Sequence, residues 1–119
     1  MTEQSAYRLE VREVGGVTVI EFLDRNLLDE ELLQAVSDEL NALVDNGTRR
    51  KLLVTLKNVD YLASAALGTL ISFHKKVHGV GGRLVLCGMA PHINEVFTIT
   101  RLDQYFTIVP DEQEALRSL

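Results

Sequence analysis

The 119-residue chain reads as an α/β fold: a mixed, mostly parallel sheet with an N-terminal β-hairpin and about four helices. Three observations predict it. Two apolar-rich segments, Tyr7 to Val14 and Val17 to Phe22, are separated only by Gly15-Gly16, a gap too short for anything but an antiparallel turn. Further apolar runs at Leu52 to Leu56, Arg83 to Cys87 and Tyr105 to Val109 alternate with segments of helical period, the order expected of parallel crossovers. The runs at Leu52 and Arg83 are apolar at nearly every position, as strands covered on both faces are.

In the first strand Tyr7, Leu9, Val11 and Glu13 fall on one side and Arg8, Glu10 and Arg12 on the other, so one face should meet water. The connection Leu23 to Asp29 leads into the clearest helix, with Asp29 as its N-cap. From Glu30 to about Asn46 the residues Leu32, Leu33, Val36, Leu40, Leu43 and Val44 form the apolar stripe, and Gly47 stops the helix. Thr48-Arg49-Arg50-Lys51 is a solvated step before the central strand. A helix of this length between strands is a crossover, so that strand should run parallel to its predecessor.

The next helix, Ala65 to about His78, places Ala66, Leu67, Leu70, Ile71, Phe73 and Val77 inward and Lys75 and Lys76 outward. His74 lies within the stripe and reads as a packed boundary residue. With only His78 and His92 elsewhere and no cysteine pair, no metal site is expected. Gly79-Val80-Gly81-Gly82 closes a helix and precedes a strand, the reverse of a phosphate-binding loop, so these are stop and turn residues. Cys87, the only cysteine, ends an apolar strand and should be a buried, inert thiol. Pro91 opens a short helix with Ile93, Val96, Phe97 and Thr100 inward, and Pro110-Asp111-Glu112 opens a terminal one.

Composition bounds the function. The chain has the length of one domain, 1–119, with its core at about 7–118, and neither a linker nor an internal repeat stands out. A net charge of −5 argues against a nucleic-acid partner, because phosphate binding needs a basic face. No apolar run reaches the roughly 18 residues of a membrane span, and Met1-Thr2-Glu3-Gln4-Ser5 lacks the features of a signal peptide, so a cytoplasmic protein is expected.

The stretch Val59 to Gly68 passes from the end of the central strand into the Ala65 helix through a short turn. Ser64 stands where an N-cap belongs. It can be read as a cap, or as a phosphoacceptor, since a helix N-terminus tolerates negative charge and small neighbours leave room for a partner.

The run Leu62-Ala63-Ser64-Ala65-Ala66-Leu67-Gly68, preceded by a strand and followed by an amphipathic helix and Gly81-Gly82-Arg83-Leu84-Val85-Leu86-Cys87, resembles the STAS family, specifically the bacterial anti-sigma factor antagonists. The resemblance covers roughly residues 7 to 118. The family motif reads Asp-Ser-Ser/Thr-Gly-Leu-Gly, and its first Ser, phosphorylated by a cognate anti-sigma factor kinase, falls on Ser64. Ala63 stands here for the Asp and Ala66 for the Gly.

The resemblance implies the STAS fold, Ser64 as the phosphorylation site, and a partner face comprising Asp24, Ala63, Ser64, Ala65, Ala66, Leu67 and Gly68. It implies a serine-kinase anti-sigma factor as partner, with a serine phosphatase as a second one; no cofactor, metal, nucleic acid or membrane is expected. The alternative is a constitutive interaction or scaffold module of the same fold. An enzyme is not expected, because no Ser/His/Asp order or paired carboxylate stands out. A phospho-Asp receiver is disfavoured because Asn58 and Asp60 have no matching acidic pair. Both the Ser64 turn and the Leu23 to Asp29 connection follow strands, so they should be neighbours at one end of the sheet.

Overall fold

The computed structural model describes residues 9–45 and 49–119. The expected strand start at Tyr7 and Arg8, the helix stop at Asn46-Gly47, and Thr48 lie outside the described residues. Five strands, β1 (Leu9–Val14), β2 (Val17–Phe22), β4 (Lys51–Thr55), β6 (Arg83–Cys87) and β7 (Thr107–Val109), form one sheet in the order β1-β2-β4-β6-β7. Only β1 and β2 are antiparallel. Two short strands, β3 (Asn26–Leu27) and β5 (Tyr61–Leu62), pair in parallel as a separate sheet.

The hairpin turns on Gly15 and Gly16, whose φ angles of +55° and +85° are both in the region that non-glycine residues avoid. Two positive φ values in succession match the right-handed twist of the strands they join. Val14 and Val17 therefore pair directly.

The helices α1 (Glu30–Asp45), α2 (Ser64–Gly79) and α3 (Pro91–Ile99) pack on one face, and α4 (Glu112–Ser118) covers the other. Alternation along each strand divides the core accordingly. Ile20, Phe22, Leu52, Val54, Leu84 and Leu86 face the larger helical layer, with Leu33, Val36, Leu40, Leu70, Phe73 and Phe97. Val17, Val19, Leu53, Val85 and Cys87 face Ala115 of α4. The Arg12 guanidinium reaches Glu112 at 2.9 Å and ties α4 to β1.

Caps and stops follow the residues that suit them. Asp29 Oδ2 accepts from the N–H of Leu32 at 3.3 Å, and Asp111 Oδ1 from that of Glu114 at 2.9 Å. Pro91 occupies the first position of α3. Gly82 immediately precedes β6, where a side chain would lie 2.9 Å from both the Arg50 carbonyl and a Val77 methyl, so close packing requires glycine there.

Two expectations about these elements are corrected. The last strand begins at Thr107, not Tyr105: Tyr105 and Phe106 both donate their N–H to Leu102 O in a turn, and the Phe106 ring is drawn into the helical layer against Phe97 and His74. Thr100 does not face inward. It is exposed, and its hydroxyl returns to Val96 O at 2.7 Å at the end of α3. The β3–β5 pairing was not anticipated, because two-residue strands leave no periodicity to read.

Candidate partner-binding site at the Ser64 turn

The chain leaves β4 at Thr55 and is fastened at once. Leu56 donates its N–H to Cys87 O, Val59 is buried, and the Asn58 amide donates to Glu21 Oε2 at 2.7 Å and to Phe22 O. Glu21, almost fully buried at the end of β2, also takes the Lys57 ammonium at 3.5 Å. The turn after β4 is thus tied to the strand beside it.

Asp60 joins the turn to the 23–29 connection. Its N–H donates to Arg25 O at 2.7 Å, and its carboxylate accepts from Arg25 Nε at 2.9 Å and meets Nη2 at 2.8 Å. The ladder continues with Tyr61 N–H to Arg25 O and Ala63 N–H to Leu27 O. The two connections are neighbours, as their places in the fold required. His92, on α3, donates from Nε2 to Asp60 O, and its ring lies 6.2 Å from that of Tyr61. A carbonyl only accepts, so the imidazole carries its proton on Nε2.

Ser64 is not the N-cap. The ladder holds Ala63 extended, with φ −81° and ψ 162°, and the Ala63 carbonyl accepts from Ala66 and Leu67, so the helix begins at Ser64. A methyl side chain occupies the cap position and makes no capping bond. Ser64 is exposed, and its hydroxyl makes no hydrogen bond among the described residues. As the first residue of a helix it has an N–H without an intrahelical acceptor.

Around it, Ala65 and Gly68 are exposed, Ala63 and Leu67 half-buried, and Ala66 faces the core at 2% exposure. The Ala66 side chain is therefore off the surface that a partner would meet. Asp24 is half-buried at the start of the neighbouring connection. Two large apolar residues that sequence reading did not single out, Leu28 (53% exposed) and Tyr61 (61%), flank the turn. Nothing in their spacing distinguishes them from core residues. Beside the turn an open groove of about 650 Å³ runs between α1 and α2, lined by Glu30, Glu31 and Gln34 on one side and Ala65, Gly68 and Thr69 on the other.

Among the described residues, no cluster of three or more His, Cys, Asp or Glu is placed to hold a metal ion, and no helix is long and apolar enough to cross a membrane.

Comparison with known proteins decides the family. The STAS domain model matches residues 8–115. The chain belongs to the STAS domain family. This STAS domain is 38% identical over 90 residues to BtrV of Bordetella bronchiseptica, provisionally named an anti-sigma factor antagonist, covering 76% of this chain and 74% of that one. It is 23% identical to the anti-sigma F factor antagonist of Paenibacillus polymyxa, with 94% of each covered. The structure of an anti-sigma factor antagonist (STAS) domain protein from Planctomyces limnophilus superposes with a TM-score of 0.80 at 26% identity, over 92% of this STAS domain and 95% of that chain.

Proposed function

We propose that this STAS domain is an anti-sigma factor antagonist that docks an anti-sigma factor through the surface around Ser64, and that phosphorylation of Ser64 switches the docking off. The observation that carries the reading is the state of the Ser64 hydroxyl: exposed on the first residue of α2, flanked by Ala63 and Ala65, and released from capping. A hydroxyl with no structural duty is available to a kinase. In the transfer Ser64 Oγ would bond the terminal phosphorus of ATP, ADP would leave, and the hydroxyl proton would pass to a base of the kinase.

The phosphate would bring roughly −1.5 to −2 charges to a helix start whose unpaired N–H groups and dipole favour them, so the fold is kept. A partner fitted to a neutral hydroxyl between Leu28, Tyr61 and small residues would instead meet a hydrated dianion, and binding is lost. A serine phosphatase would restore it. The domain thus acts by binding rather than by catalysis of its own.

A second reading, a constitutive interaction module, is favoured by Ala63 and Ala66, which replace the Asp and Gly of the family motif. Titration calorimetry and phosphopeptide mapping with candidate anti-sigma factors separate the two. The switch requires wild type and Ser64→Ala to bind, Ser64→Asp to bind about tenfold or more weakly, equivalent to ~1.4 kcal/mol, and a phosphopeptide containing Ser64. Equal binding by Ser64→Asp with no such phosphopeptide leaves the constitutive module.

A further inference from the structure

Asp60 has every one of its polar groups engaged. Its N–H and carboxylate are held by Arg25, and its carbonyl by His92. The three ties are not equivalent. Arg25 belongs to the 23–29 connection, itself an irregular segment, and its side chain is 73% exposed, so the ion pair with Asp60 is weak on its own. His92 belongs to a different element, the second residue of α3, and α3 is anchored in the core by Ile93 and Phe97 at 2% and 0% exposure. His92 is therefore where a rigid helix grips the segment that leads into Ser64, four residues further on.

We propose that His92 is a positioning residue for recognition at Ser64: its Nε2–H holds the Asp60 carbonyl, keeps β5 against β3, and so presents the start of α2 in one orientation. The proposal rests on the partner-binding reading given above. The imidazole need not touch the partner. Its contribution is to remove, before docking, the ordering cost of the turn. Because His92 is exposed and contributes little to the core, its loss should be felt locally rather than in global stability.

The test compares the full chain as wild type, His92→Ala and His92→Gln, the last keeping an N–H donor at similar reach. Amide hydrogen exchange is followed at Tyr61 and Ala63, whose N–H groups bond Arg25 O and Leu27 O, with Val54 of β4 as reference. His92→Ala should exchange at those two amides about two- to twelve-fold faster, the range of one net hydrogen bond, with Val54 and the thermal midpoint unchanged. His92→Gln should restore the wild-type rates. Affinity for the anti-sigma factor should fall by a similar two- to twelve-fold in the Ala variant and recover in the Gln variant.

Unchanged exchange at Tyr61 and Ala63, failure of Gln to restore it, or faster exchange throughout the sheet would each overturn the positioning role. So would faster local exchange with undiminished affinity. If the wild type bound no anti-sigma factor, the reading under Proposed function would fall, and the exchange comparison alone would decide whether His92 holds the turn.

Discussion

The imidazole of His74 lies against that of His78, one turn further along α2, with ring centroids 4.3 Å apart. Tyr105 and Phe106 close around the same ring at 4.5 and 5.1 Å, and Arg83 lines the small cavity beside it. Burial first, and then the charge on His78, lower the His74 pKa below its ordinary 6.5. The fold thus favours the neutral ring over the charged one.

Stability should follow that sign. As pH falls through the ordinary histidine value, the unfolded chain takes up the proton before the folded one does, so folding weakens until the lowered folded pKa is passed. Above the ordinary value the contribution is complete. Urea unfolding of wild type and His74→Phe between pH 8 and pH 5 isolates the effect, because the shared carboxylates cancel. Wild type should lose more stability than the variant over this range, and parallel curves would refute the assignment.

The capping assignments predict an ordering of small effects. Asp29→Ala and Asp111→Ala each remove a side-chain acceptor from a helix start and should cost about 1 kcal/mol in chemical denaturation. Ser64→Ala removes none and should stay within about 0.5 kcal/mol of wild type. A cost for Ser64→Ala equal to that of the two aspartates would return Ser64 to the cap.

Leu40 of α1 and Leu70 of α2 are both essentially inaccessible in the larger core. Truncation of either to Ala leaves a cavity between helices and sheet and should cost about 2–5 kcal/mol, a large share of the stability of a small domain. Unchanged denaturation midpoints would mean that the helix faces are misassigned.

Cys87 is fully inaccessible, and burial pushes its thiol above the usual range, which the Thr55 hydroxyl only partly offsets. Maleimide should label the native protein slowly and the denatured protein stoichiometrically. Rapid native labelling would contradict the packing of β6 beneath α4.

The pattern of success in reading the chain has a physical basis. Helices α1 and α2 announce themselves because four-residue spacings such as Val36 to Leu40 and Leu70 to His74 set one face apart over several turns. The parallel core strands show as apolar runs, and the hairpin shows in Gly15-Gly16. What escaped notice depends on tertiary partners. Asn26 and Tyr61 pair across a long stretch of chain, and nothing in Arg25, Asp60 or His92 taken singly says that they meet. The helix start shifted by one residue for the same reason: Leu27 O, far away in sequence, holds Ala63 extended.

The strands of the main sheet take their places in chain order from one side to the other, and α4 is the last of the helices in that order. During synthesis each new strand can therefore add to an edge already formed, with no earlier pairing to undo, and the N-terminal portion can assemble while the remainder is still being made. Among the described residues, the helix that covers the face bearing Val17, Val19, Leu53, Val85 and Cys87 is α4, the last to arrive. Until then the growing chain carries an oily, uncovered side, and a product stopped short of Asp111 would keep it, marking itself for chaperone or protease.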